Sequence, residues 1–174
     1  MNILEKFFEY NIIKFGTFTL KDGTTSPIYI DLRLLSSYPD LLRDITIKLG
    51  LLVENLEYDR IAGIPLAGLP LGTALGLHLN KPALLVRKER KEYGCKKRVE
   101  GVYQTGDTVL LIDDVITSAN SKIEMLDILY EEGLNCKDIV VVVDRRNYVD
   151  DRFNIHSLFT LDDILKFAKD FKRT

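Results

Sequence analysis

Two adjacent carboxylates, Asp113 and Asp114, follow four apolar residues in VLLIDDVITSANS, Val109–Ser121. The apolar four read as a buried strand, Val109–Ile112, with the acidic pair at its C-terminal end. A short polar loop follows, Thr117-Ser118-Ala119-Asn120-Ser121. A helix is expected from Ser121, whose spacing to Glu124 is that of a capping box. The arrangement suits a sugar phosphate. N–H groups at a helix start point at a bound phosphate, and the helix dipole favours its charge. The hydroxyls of Thr117, Ser118 and Ser121 add donors without blocking access. Paired carboxylates can accept hydrogen bonds from vicinal ribose hydroxyls, or hold magnesium directly or through water. The plainer alternatives are that the pair merely ends a strand and that Ser121 merely caps a helix. A nucleoside triphosphatase reading of VLLIDD would need G-x-x-x-x-G-K-[ST], which the sequence lacks.

A second chemical signal is charge. Between Arg87 and Arg98 lie seven basic residues (Arg87, Lys88, Arg90, Lys91, Lys96, Lys97, Arg98) and two acidic ones, a surplus of five positive charges. The whole chain carries −2, so the remainder carries −7. One compact basic segment in an acidic protein points to an anionic ligand at one place, not to a nucleic-acid surface.

These groups need a scaffold. The 174 residues are 46% hydrophobic, which suits one domain with a sizeable core. No apolar run approaches the roughly 20 residues of a membrane span. The N-terminus is amphipathic and acidic, unlike an export signal. Cys95 and Cys136 have no metal-ligand spacing and read as free thiols in a reducing cytoplasm.

The pattern predicts a helix over 2–13, then strands Phe15–Leu20 and Pro27–Leu32 around Lys21-Asp22-Gly23. A helix follows from Ser37, with apolar Leu41, Ile45, Leu49, Leu52, Val53 and Leu56 on one face. Strands are expected at Arg60–Ile64, Ala83–Val86, Val109–Ile112 and Ile139–Val143, with helices at Gly68–Leu79 and Ser121–Glu132. A short strand near His156–Phe159 and a helix from Leu161 close the chain. Strands apolar on both faces and separated by helices predict a parallel sheet covered on both sides, with ligands at the C-terminal strand ends.

The Val109–Ser121 block is similar to the phosphoribosyl pyrophosphate signature of type I phosphoribosyltransferases. Four further segments resemble the orotate phosphoribosyltransferases within that group: FGTFTLKDGTTSPIYIDLR (Phe15–Arg33), GIPLAGLPLGTAL (Gly63–Leu75), VRKERKEYG (Val86–Gly94) and VVVDRR (Val141–Arg146). The pairing of F-T-L-K-x-G-x-x-S-P with the late D-R is the part most specific to orotate. The resemblance implies an α/β phosphoribosyltransferase fold as a single domain over 1–174, with a small N-terminal hood over about 1–35 and a mobile basic loop over about 87–101.

The resemblance also implies roles. Asp113 and Asp114 would contact the ribose hydroxyls, and the backbone and side chains from Val115 and Ile116 through Thr117, Ser118, Ala119, Asn120 and Ser121 would cradle the 5′-phosphate. Lys21, Arg87, Lys88, Lys91 and Tyr93 would meet phosphoribosyl pyrophosphate, with Lys91 catalytic and acting in a neighbouring subunit of a homodimer. Tyr29, Thr117 and Arg145 would meet orotate, whose carboxylate suits a bidentate arginine. The plainer reading of Arg145 is an ion pair with Asp144 or Asp150. Magnesium would arrive with the pyrophosphate and water. Many bacterial members carry histidine where Tyr93 stands and lysine where Ala67 stands, and the phosphate loop has Ala119 and Asn120 in place of the usual glycines. The implied product is orotidine 5′-monophosphate, on the route to UMP. The alternatives are a phosphoribosyltransferase for another base and a non-catalytic regulator with the same fold.

Overall fold

The wholly apolar runs become the strands of one sheet. The computed structural model describes residues 2–19, 23, 25–89, 97–118, 120–148 and 152–171. Lys21, Lys91, Tyr93, Ala119 and Asp150 lie outside these, as do the side chains of Asn120 and Ser121.

The hood comprises α1 (Ile3–Glu9), β1 (Ile13–Thr19) and β2 (Thr25–Ile30), the last two pairing antiparallel. Helix α1 is shorter than the expected 2–13. Asn2 caps it, with Glu5 accepting from the Asn2 N–H at 2.9 Å. Asn11 then adopts a left-handed φ of 53°, which asparagine tolerates. That turn sends Ile12 and Ile13 into the core, and β1 starts there. A 3-10 turn, Leu32–Ser37, leads into α2 (Pro39–Leu52), which opens on proline as expected.

The main domain follows with β3 (Arg60–Gly63), α3 (Gly68–Leu79), β4 (Ala83–Val86), β5 (Val99–Glu100), β6 (Val109–Ile116), α4 (Asn120–Glu131), β7 (Asp138–Asp144), β8 (Asn154–Thr160) and α5 (Leu161–Phe171). The sheet order is β5-β4-β3-β6-β7-β8. All neighbours are parallel except the two-residue edge strand β5, antiparallel to β4. Successive residues of one strand face opposite sides. In β7, Val140 and Val142 pack with α1, α2 and α3, whereas Ile139 and Val141 pack with Met125, Ile128 and Leu129 of α4.

Two departures from the sequence reading matter for the site. First, β6 continues past Ile112 because its pairing with β7 continues, Asp113 opposite Val141 and Ile116 opposite Asp144. The acidic pair therefore lies inside a strand and does not end it. Second, α4 begins at Asn120, one residue before the expected Ser121, and Glu124 faces Lys88, 3.7 Å away.

Helix α3 meets the sheet backbone to backbone. A Cβ on Gly63 would stand 2.2 Å from the Gly68 carbonyl oxygen, and one on Gly68 would stand 2.5 Å from that of Ile112. Neither contact can yield, because both partners are main chain. Gly63→Ala should therefore cost about 3 kcal/mol or more, read as a fall in Tm by circular dichroism. An unchanged Tm would mean that α3 can lift off the sheet.

Candidate active site

After β3 the chain turns to β4, and after β6 to β7, on opposite sides of the β3–β6 pair. This is the topological switch point, where open parallel sheets bind ligands. Strand β3 ends at Gly63, opposite Ile112, so residues 113–116 of β6 have no β3 neighbour. The gap opens into a cleft of about 470 Å³. Its floor is Asp113, Asp114, Val115 and Thr117; residues 64–67 form one wall, and Tyr29 and Arg33 of the hood another. Lys88, Lys122 and Arg145 bring positive charge to it.

The two carboxylates are not equivalent. Asp113 is buried, 6% exposed, and receives the ammonium of Lys122, itself 2% exposed. The Asp114 N–H also donates to Asp113 Oδ1 at 2.9 Å. Asp114 is half-buried and accepts the Val115 N–H at 2.7 Å. Burial, then the charge of Asp113, pushes the Asp114 carboxyl up to about 7, while the Val115 N–H and Lys122 pull it down.

Arg145 follows β7 and reaches under the hood. Its backbone N–H donates to the Ile116 carbonyl at 2.9 Å, and a terminal nitrogen donates to the buried Ser26 Oγ at 2.9 Å. Ser26 passes its own proton to the Ile28 carbonyl at 2.6 Å. Asp144 pairs with the adjacent arginine, Arg146, at 2.7 Å. Tyr29 lies at the cleft with its hydroxyl accepting from Arg33 at 2.9 Å, and Asp31 fixes Arg33 through two bonds at 2.6 and 2.9 Å.

Of the other residues singled out by sequence, Thr117 and Ser118 are exposed, and Thr117 lines the cleft. Val115 is half-buried beside them, whereas the Ile116 side chain is core and leaves only its backbone for the loop. Lys88 reaches the cleft. Arg87 does not line it: its Nε donates to Glu100 at 3.2 Å, and its main chain bonds Arg98 across the β4–β5 stem.

Sequence reasoning missed Lys122 and left Ser26 and Arg33 unassigned. Ser26 carried a signal, as the S of the S-P pair. Lys122 carried one only in hindsight, as a lone cation at a helix start, where the dipole disfavours it.

A hooded parallel sheet with an acidic strand, a polar loop and a helix start converging at its switch point defines a type I phosphoribosyltransferase. Residues 39–173 match the family model for the phosphoribosyl transferase domain. The orotate phosphoribosyltransferase of Pyrococcus horikoshii is 42% identical over 163 residues, 90% of this chain and 88% of that one. The uridine 5′-monophosphate synthase of Caenorhabditis elegans is 39% identical over 174 residues, 95% of this chain but 35% of that protein. The structure of Leishmania donovani UMP synthase superposes with a TM-score of 0.86 and 32% identity, covering 98% of this chain and 38% of that one. The chain thus spans about a third of the length of these synthases. It belongs to the orotate phosphoribosyltransferase family.

Proposed function

We propose that the chain transfers the phosphoribosyl group of phosphoribosyl pyrophosphate to orotate, releasing pyrophosphate and forming orotidine 5′-monophosphate for UMP synthesis. One observation carries this reading. A single cleft joins Asp114 and the Thr117 loop, suited to a ribose phosphate, to Arg145 held by Ser26, suited to a carboxylate. A ring nitrogen of orotate would attack the anomeric carbon as the bond to pyrophosphate breaks, through an oxocarbenium-like sugar. Catalysis would come from holding the reactants in line and from positive charge around the departing pyrophosphate. Lys88 at the cleft would supply part of that charge and Lys21 and Lys91 the rest, with the Tyr93 hydroxyl as a neutral hydrogen-bond donor.

Among the described residues no group of three or more His, Cys, Asp or Glu side chains could hold a metal ion. The donor chemistry fits a magnesium ion that enters on the pyrophosphate with its water shell, leaving the acidic strand to the sugar. When bound, that ion adds positive charge to the leaving group.

No helix among the described residues is long and apolar enough to cross a membrane. The cytoplasm is the compartment proposed, where Cys136, buried and not disulfide-bonded, would stay a thiol.

The working form proposed is a homodimer with shared sites. Beside the cleft lies an apolar face of α2 and α3, with Leu66 74% and Leu77 85% exposed and Leu42, Leu69, Pro70 and Ala74 around them. Arg33, Leu66 and Ala67 line both this face and the cleft. A second copy seated there would stand next to the active site, so that Lys91 acts across the interface. Mixing Lys91→Ala with Asp114→Asn protein tests this. Each is expected to be nearly inactive alone. Co-refolded, activity should recover to about a quarter of wild type, since about half the dimers are mixed and each has one intact site. No recovery despite demonstrated subunit exchange would show that Lys91 serves its own subunit.

The reaction itself is tested by following orotate absorbance with phosphoribosyl pyrophosphate and magnesium, beside parallel assays with purine bases. Orotate left unconsumed while a purine is consumed would move the assignment to another base. No reaction with any base, but bound ribose phosphate, would favour the regulator.

A further inference from the structure

The ion pair between Lys122 and Asp113 is the least ordinary feature of this molecule. Lysine is almost never fully buried unless paired, and an ammonium in the first turn of a helix opposes the helix dipole. Lys122 does both: its side chain is 3% exposed and it is the third residue of α4. A pair so buried is often no more stabilising than apolar side chains of similar volume in place of both partners. Its retention beside the cleft calls for a functional account.

The geometry supplies one. The loop that would take the 5′-phosphate leaves β6 at Ile116 and enters α4 at Asn120. Lys122 bridges both ends of that loop. From the first turn of α4 it reaches back to the Asp113 carboxylate and donates to the Val115 carbonyl at 3.3 Å. The loop is thus spanned underneath by an ion pair.

We infer that Lys122 is a positioning residue of the ribose-phosphate site: it clamps the phosphate loop through Asp113, so that Asp113 faces inward as a strut and Asp114 is the carboxylate that meets the ribose. This rests on the phosphoribosyl reading above but not on the choice of base. Three facts support the division of labour. Asp113 is occupied by Lys122 and by the Asp114 N–H, whereas Asp114 keeps an edge at the cleft. The Lys122 ammonium also offsets part of the repulsion between the two carboxylates. And removing the Asp113 charge would leave the buried Lys122 ammonium without its carboxylate partner.

The test is calorimetric binding of ribose 5-phosphate to the full chain, with melting curves alongside. Lys122→Met should weaken binding at least tenfold, and Lys122→Arg, which keeps the pair, should stay within threefold of wild type. Asp113→Asn/Lys122→Met removes both charges, so it should fold at least as stably as Lys122→Met and bind within threefold of it, because both lack the clamp. A double variant clearly weaker than Lys122→Met would mean that Asp113 contacts the sugar by itself and would overturn the inference, as would Lys122→Met binding like wild type. If Lys122→Met does not fold, the other two decide. The double variant at least tenfold weaker than wild type, with Lys122→Arg within threefold, supports the clamp; the double variant within threefold of wild type overturns it. Wild-type protein that binds ribose 5-phosphate but consumes no orotate would overturn the base assignment alone.

Discussion

Arg145→Ala should raise the KM for orotate roughly 30- to 700-fold while leaving that for phosphoribosyl pyrophosphate within about threefold, a loss of about 2–4 kcal/mol at one substrate only. The size follows from where Arg145 sits. Its main chain is tied to β6 through Ile116, and its guanidinium is tied to the hood through Ser26. A planar donor fork held at both ends meets a planar carboxylate with little ordering left to do. Truncation removes the fork and strands the ligand's charge in a cleft walled by Ile64, Leu66 and Val115. Steady-state kinetics with each substrate varied in turn checks this. Equal losses for both substrates would remove Arg145 from the orotate site.

Asp114→Asn should do two opposite things. Ribose 5-phosphate binding should weaken roughly 10- to 100-fold, since a carboxylate acceptor of sugar hydroxyls is worth about 1.5–3 kcal/mol. Unliganded protein should become more stable at pH 8. Burial and the neighbouring Asp113 charge hold the Asp114 carboxyl up at about 7, well above an ordinary aspartate. The unfolded chain therefore binds fewer protons than the folded one between about pH 4 and 7, and stability falls as pH rises through that window. Above pH 7 the folded chain carries the full cost of an ionised, crowded carboxylate. A three-unit shift would be worth about 4 kcal/mol at complete burial; with one edge in water, about 1–2 kcal/mol is expected, or roughly 2–8 °C in Tm. At pH 4 most of the gain should be gone, because the folded carboxyl is then protonated and the unfolded one is roughly half so. A variant with no gain in stability at pH 8 would mean that Asp114 is solvated like any surface carboxylate. In wild type, ribose 5-phosphate should bind more tightly at pH 8 than at pH 6, and this dependence should be flatter in Asp114→Asn.

Much of this architecture could be read from residue types. Strands such as Ile139–Val143 are apolar on both faces, and only a sheet covered on both sides accommodates that, so the parallel order was legible. That Asp114, Thr117 and Arg145 would stand together at one end of the sheet was legible because each lies just where an apolar strand gives way to polar residues. What could not be read depends on contacts between distant segments. Ser26 meets Arg145 across 119 positions, and nothing near either residue announces the other. Arg87 belongs to a uniformly basic run, yet its partner Glu100 lies on β5, a strand too short to show periodicity. Lys122 looked like any helix lysine, because burial is a property of the packing of α4 on β6 and not of the letter. The end of β6 was misplaced for a related reason: aspartates suggested a boundary, but pairing with β7 continues through them.

The backbone-to-backbone seam of Gly63, Gly68 and Ile112 bears on how such a protein can diversify. A side-chain layer can be repacked by compensating substitutions, one methylene at a time. A seam with no side chains in it offers no such path, since the first added carbon already collides with main chain. The β3–α3 junction is therefore closed to gradual drift, and with it the position of the loop it carries. Innovation in what the cleft accepts has to enter through the side chains that line it, Leu66 and Ala67 on that fixed mount and Tyr29 and Arg33 of the hood among them.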